Sequence, residues 1–329
     1  MALTYNQLDA ITDAFYMRDI QQTWADQNLV TKRLHKGGTK SQGGERIKQP
    51  VFYNFSKGDW FGEYDQFDIS SEERITAAYW DWKQMEVPLV MSRLEQLKNN
   101  NPRAIHSLME QITKGAKIRA GQLMSQAVFS ANGDSATAIG GLQNMLSPAG
   151  RTLGGIASTS TTYSWWQPVS KPGAATAIWS LGGTGYCTYE NLNIITGAAH
   201  DGNISVDLVC LGPRAYHYYL QDAHAVQRLI HKSAAEQGFM TAEVNGIEIV
   251  ADRHITESNT EASNYGYCLN TDFIDLVSHT DENFRREPWS KPIDQNVIVS
   301  HLYWAGNLTT SDPSRSVMFT NFIVDADGA

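Results

Sequence analysis

Between Phe52 and Trp82 the chain places ten aromatic residues in 31 positions, against 10% aromatic residues overall. The segment leading into this run alternates with a period of two: Ile47, Val51, Tyr53 and Phe55 share one parity, with Gln49 its polar exception, while Lys48, Asn54 and Ser56 occupy the other. That period is a strand's, because successive side chains leave opposite faces. Ser56-Lys57-Gly58-Asp59 supplies turn chemistry, and residues 60–69 and 75–90 read as further extended segments, so a long hairpin is expected. A two-stranded ribbon has no interior in which to bury so much apolar area, so this one must lie on a partner surface. Either its own domain or another molecule meets that need.

The rest of the chain is ample for a core. With 329 residues and 42% hydrophobic residues it can form one large or several small domains. Residues 4–31 carry loose helical spacing (Leu8, Ile11, Phe15, Ile20, Trp24), too sparse for a core helix, and read as an arm lying on something else. Residues 35–44 are glycine-rich and basic, and are expected to be flexible. Asn101-Pro102 is a strong helix start. Ile105, Leu108, Met109, Ile112, Ala116, Ala120, Leu123 and Ala127 then keep helical spacing for about seven turns, until Asn132-Gly133-Asp134. Residues 137–172, rich in Gly, Ser and Thr, should be loops with short strands. Beyond them the spacing predicts helices at 189–199 and 213–230, a buried strand at 206–211 and a hairpin at 243–250 on Asn245-Gly246. Strands follow at 265–276 and again from 297 to 324, around the turn Ser311-Asp312-Pro313-Ser314. The fold class is α+β.

Charge narrows the functions. A net charge of −9 and a pI near 5.5 argue against tight binding to a phosphate backbone, which relies on clustered Lys and Arg. Cys187, Cys210 and Cys268 are far apart, which suits a reducing compartment and suggests neither zinc nor a disulfide framework. Nothing approaches a membrane span, and the first residues lack the pattern of a cleaved signal, so no membrane partner is expected. The sequons at Asn203 and Asn307 are read as chance matches.

No catalytic constellation stands out. Gly37-Gly38-Thr39-Lys40-Ser41 lacks the leading glycine of a phosphate loop, and Gly182-Gly183-Thr184-Gly185 lacks dinucleotide spacing. His217, His224 and His231 recur every seven residues, so neighbours stand two turns, about 10 Å, apart and cannot share a metal. Asp272 with Asp275, or Asp281 with Glu282, are neighbours of the sort that 35 acidic residues supply by chance. Tyr216, Tyr218 and Tyr219 fit a core or a subunit contact better than a base-stacking platform. No cofactor, metal or catalytic residue is assigned.

The order of parts carries more than any motif: arm, aromatic hairpin, long helix, α+β unit, closing strands. It resembles the major capsid protein of tailed double-stranded DNA bacteriophages, the Hong Kong 97 type of fold. The likeness is carried by Trp80-Asp81-Trp82-Lys83-Gln84 leading into Leu94-Glu95-Gln96-Leu97, by Gly140-Gly141-Leu142 and Gly154-Gly155-Ile156 before Trp165-Trp166, by Asp207-Leu208-Val209 before Tyr216, and by Cys268-Leu269-Asn270-Thr271 and Gly306-Asn307-Leu308-Thr309. It implies an N-arm at 1–32, an extended loop at 33–90, a peripheral domain at 91–165 and 297–329, and an axial domain at 166–296. It also implies self-association into hexamers and pentamers of an icosahedral shell, in a virion assembled in the bacterial host cytoplasm. Enclosed DNA would not be bound sequence-specifically. The partners implied are a scaffolding protein, a portal protein and a decoration protein. The early start of the hairpin means that the scaffold is a separate protein or that this form is already mature. Phe52, Tyr53, Phe55, Trp60, Phe61, Tyr64 and Phe67 become the candidate inter-subunit contacts, and Lys48 and Lys57 lie where some relatives form a covalent cross-link. Two other readings stay open: an encapsulin-type nanocompartment shell, and a soluble hydrolase using Asp272, His279 and Asp281.

Overall fold

The computed structural model describes residues 29–53, 60–64, 70, 73–98, 102–147, 150–158, 163, 165–168, 179–180, 187–200, 205–226, 241–257, 264–320 and 322. In chain order these form helix α1 (Leu29–Gly37), strands β1 (Lys40–Ser41), β2 (Ile47–Phe52), β3 (Ile75–Trp80) and β4 (Lys83–Ser92), and helices α2 (Arg93–Lys98) and α3 (Pro102–Val128). A one-turn helix α4 (Leu142–Met145) and the small strands β5 (Thr152–Leu153), β6 (Ile156–Ala157) and β7 (Trp179–Ser180) follow. Next come α5 (Tyr189–Ala198), β8 (Leu208–Leu211), α6 (Pro213–Val226), β9 (Thr241–Val244), β10 (Ile247–Ala251), β11 (Tyr265–Leu269), β12 (Ile274–Arg286), β13 (Val297–Thr310) and β14 (Val317–Thr320).

Helix α3 holds the two main sheets together. Its 27 residues run about 40 Å. Met109, Thr113, Ala116, Ala120, Met124 and Val128 recur at three- and four-residue spacing and are buried, whereas Glu110, Lys114 and Ile118 face out. Small residues in the middle of the stripe let the sheets approach closely. One sheet has the order β1-β12-β13-β4, the other β7-β14-β11-β8-β10-β9.

The six-stranded sheet is buried on both faces. Leu208, Cys210, Val250, Tyr267, Leu269 and Met318 join the core around α3, where the Phe129 and Tyr267 rings lie 5.7 Å apart. Their neighbours Val209, Leu211, Ile249, Cys268, Val317 and Phe319 enter a second core beneath α5 and α6. That two-sided burial is why 208–211 reads as an unbroken apolar run rather than an alternating one. The hairpin β9–β10 turns on Asn245 (φ 51°) and Gly246 (φ 81°), the left-handed pair that a two-residue turn requires.

In the four-stranded sheet, β13 and β4 pair along Val297↔Ser92 to Gly306↔Lys83. Val87, Leu89, Met91, Ile298, Leu302 and Trp304 face the core, and Glu86, Val90, His301 and Tyr303 face out. Strand β12 bulges between Ser278 and Asn283, and just beyond the bulge the buried Phe284 takes φ 56°. Asn307, itself buried, ties the neighbouring turns together: its Oδ1 accepts from Gly140 N at 3.0 Å and its Nδ2 donates to Asp81 O at 2.9 Å. A side chain so enclosed offers no room for a glycan, in keeping with a chance sequon.

The hairpin base answers the question of partner in both ways at once. Strands β2 and β3 pair antiparallel from Ile47↔Trp80 to Phe52↔Ile75. One face, Ile47, Val51, Ala78 and Trp80, is sealed into the chain's own core. Gly154 makes the seat: its carbonyl accepts from Tyr79 N at 2.9 Å, its φ is +59°, and a Cβ there would stand 2.8 Å from that of Ala78. Below it, Asp134 Oδ2 accepts from Gly154 N, and Lys83 Nζ donates to the carbonyls of Asp134 and Ala136. Burial raises the Asp134 carboxyl above its ordinary value and lowers the Arg151 guanidinium to about 10. The two prolines that fall within described strands, Pro50 in β2 and Pro88 in β4, both lie in strands at sheet edges.

Several expectations change. Residues 29–31, the end of the expected arm, do not lie on another surface: Leu29 and Val30 are core residues, as is Leu34 just beyond them. Their i, i+1, i+5 spacing is short but falls on one helical face. Nor is 35–44 a free glycine linker, since 35–37 end α1, Gly38 is pressed against the Leu276 carbonyl and β1 pairs with β12. Residues 75–90 are not one extended segment; the chain breaks at Asp81-Trp82 and passes from the hairpin into the four-stranded sheet. Of the expected extended segment 60–69, the described part holds a turn at Glu63-Tyr64. Strand β12 belongs with β13 and β4, and β14 with the six-stranded sheet. Residues 1–28, which hold most of the expected arm, lie outside the described residues.

Replacing Gly154 by Ala forces a Cβ into the hairpin seat at a positive φ, and should cost about 1–3 kcal/mol. Chemical denaturation of the purified chain measures this, and an unchanged midpoint would refute the seat.

Candidate inter-subunit surface

The outward face of the hairpin is set by the same alternation that buries its inward face. Lys48, Pro50 and Phe52 stand directly opposite Tyr79, Ala77 and Ile75. Phe52 (57% exposed), Ile75 and Tyr79 form an apolar ribbon on the solvent side. Beyond it, Trp60 is 98% exposed and Tyr64 91%, with Phe61 close behind. Isolated exposed apolar residues are ordinary, but a run of large exposed aromatics along one segment makes it a candidate contact surface.

The seven candidates therefore divide. Phe52, Trp60, Phe61 and Tyr64 face outward. Tyr53 instead stacks on Trp165 at 5.7 Å and meets Tyr163 edge-on at 5.3 Å, so it anchors the hairpin to its own chain. Phe55 and Phe67 lie outside the described residues. Sequence reading missed Ile75 and Tyr79, although the parity of 75, 77 and 79 against 76, 78 and 80 was there to be followed. Lys48 is exposed on the hairpin, and Lys57 lies outside the described residues.

The candidates for chemistry scatter. Asp272 sits in the turn before β12, and His279 follows it by seven residues of mostly extended chain, a span of about 20 Å. His279 Nδ1 accepts from Asp281 N at 3.1 Å, and its ring meets Trp82 edge-on. The three residues proposed for a hydrolase are thus not assembled. His217 is exposed, with Nε2 3.1 Å from Gln221 Nε2; His231 lies outside the described residues, as does the side chain of His224. Tyr216 and Tyr219 are core residues, and the Tyr219 hydroxyl donates to Glu243 O at 2.8 Å. No cluster of three metal-ligating side chains occurs among the described residues, and no described helix is long and apolar enough to cross a membrane.

The three thiols are buried, and desolvation pushes each well above its ordinary value. A thiolate, the reactive form, is thereby disfavoured at all three.

No family model matches the sequence, and no curated protein matches it. Solved structures do. The capsid subunit of cyanophage A-1(L) aligns with TM-score 0.63 at 12% identity, covering 89% of this chain and 92% of its own. The capsid of a native GTA particle aligns with TM-score 0.55 at 11% identity, over 88% and 90%. The SrpI encapsulin of Synechococcus elongatus aligns with TM-score 0.53 at 8% identity, over 77% and 79%. At such identities the likeness defines the fold: this chain has the α+β fold of shell-forming capsid subunits, and it spans most of their length.

Burial of the thiols gives a direct check. A small disulfide reagent should label none of Cys187, Cys210 and Cys268 in the native chain and all three in guanidinium; rapid native labelling would contradict the packing of the second core.

Proposed function

We propose that this chain is a major capsid protein, which self-assembles into the icosahedral head that encloses a phage double-stranded DNA genome. One observation carries the proposal: a hairpin whose inner face is already sealed to its own chain still presents Phe52, Ile75 and Tyr79 outward and Trp60, Phe61 and Tyr64 beyond them. The partner that can cover such a face on every copy is another copy, and the capsid-subunit fold supplies the geometry in which copies meet. Each large apolar side chain buried contributes about 1.5–3 kcal/mol, so the six amount to on the order of 10 kcal/mol before the cost of ordering the hairpin.

In this reading the hairpin is the extended loop that lies across a neighbour. Helix α3 with β1, β12, β13 and β4 forms the peripheral domain, and the six-stranded sheet with α5 and α6 the axial domain that surrounds the local axis of hexamers and pentamers. The arm before α1 reaches a second neighbour. The acidic net charge suits a lumen that holds DNA without gripping it. The chain's role is structural, in a virion assembled in the host cytoplasm, with a separate scaffolding protein, a portal protein and a decoration protein as further partners. The encapsulin likeness is weaker in both coverage and TM-score than the cyanophage one, which favours a genome over an enzyme cargo.

Expression of the full chain with and without scaffold, followed by sizing and electron microscopy, tests the proposal. Closed particles are expected, with DNA inside those from infected cells. A monomer or dimer under every condition would overturn it, and protein cargo without DNA would favour the nanocompartment. Because residues 47–52 and 75–80 build the core, the informative deletion is 54–73 rather than the whole hairpin. That deletion, or Trp60→Asp with Phe61→Ser and Tyr64→Ser, should abolish closed shells and change subunit stability by less than about 0.5 kcal/mol. Normal particles from either variant would show that the hairpin is not the contact.

A further inference from the structure

Helix α1 stands where three parts of the molecule meet. It touches α3, through Thr31 Oγ1 3.1 Å from Ser125 Oγ; it packs on β12 and leads into β1, which extends the four-stranded sheet; and its Arg33 reaches the six-stranded sheet. Arg33 Nη2 donates to Glu248 Oε2 at 2.6 Å, and Nη1 donates to Asp207 O at 3.3 Å.

The receiving carboxylate is unusual. Glu248 lies in β10, only 3% exposed, between its register partners Leu208 on β8 and Glu243 on β9, on a face shared with Cys210, Val250 and Tyr267. Its second oxygen, Oε1, is buried without a hydrogen-bond partner. Arg33 is the one cation paired with this carboxylate among the described residues. A charge in such a place is tolerated only while its partner is present. The helix that brings the partner, however, has nine residues, too few to be stable without tertiary contacts, and a third of the Arg33 side chain stays in solvent. A marginal element thus neutralises a deeply buried charge on a different sheet.

We propose that Leu29–Gly37 is a latch between the four-stranded and the six-stranded sheet, in which Arg33 bound to Glu248 makes the seating of α1 and the closure of β10 against the α3 core a single event. Displacing α1 therefore loosens β10, and a shift of β10 unseats α1. This coupling belongs to the subunit itself and does not depend on the shell reading.

Hydrogen exchange of the full-length chain, comparing Arg33→Gln, Glu248→Gln and the double variant, tests it. With Arg33→Gln alone, amides at 29–41 and at 247–251 should both exchange faster, on the order of a hundredfold, since breaking a buried pair is costly. The double variant, which buries no charge, should recover most of the protection in both segments together. Loss confined to 29–41, or additive losses in the double variant, would overturn the latch and leave two independent contacts. If Arg33→Gln alone is insoluble, recovery of soluble chain in the double variant supports the latch, and equal insolubility of both overturns it.

Discussion

The burial of one long helix between two sheets sets nearly everything else. Helix α3 can be enclosed on this scale because Ala116 and Ala120 keep its middle narrow, so that the bulky partners come from the sheets: Trp304 and Leu302 from one side, Tyr267 and Leu269 from the other. The six-stranded sheet then has a second apolar face left over, which recruits α5 and α6. Among the described residues the four-stranded sheet has no such second layer, and its outer face carries Glu86, His301 and Tyr303, with Glu86 Oε1 and His301 Nδ1 2.6 Å apart. The described residues thus stack two layers on one side of α3 and one on the other.

Much of this was legible in the sequence where one physical rule acted locally. The Asn101-Pro102 pair announced α3, Asn245-Gly246 announced its turn, and the apolar run at 206–211 announced a buried strand. The illegible parts depend on contacts between distant residues. Nothing in the order of the chain says that β12 joins β13 and β4 while β14 crosses back to the other sheet, because each is simply an alternating segment of suitable length. Residues 29–31 belong to a stretch too sparsely apolar to read as a core helix, yet Leu29, Val30 and Leu34 are buried where Thr31 and Arg33 meet residues 125 and 248.

The contact surface was half legible for a related reason. Aromatic density said that the hairpin needs a partner, but composition cannot tell a side chain that anchors from one that reaches outward. Tyr53 and Phe52 are adjacent and chemically similar, yet one stacks on Trp165 and the other faces solvent. Parity decides between them, and parity is reliable only once the register of β2 on β3 is fixed by the Gly154 seat.

The prolines at 50 and 88 acquire a meaning from this. In the proposed shell, where each subunit would meet many copies of itself at high local concentration, exposed strand edges carry the hazard of joining edge to edge without end. A proline offers no N–H there, so an edge carrying one makes a poor template for another strand. Association is thereby diverted from the backbone to the side-chain faces, where shape decides which copies meet and at what angle. The difference is between growth that never stops and growth that closes.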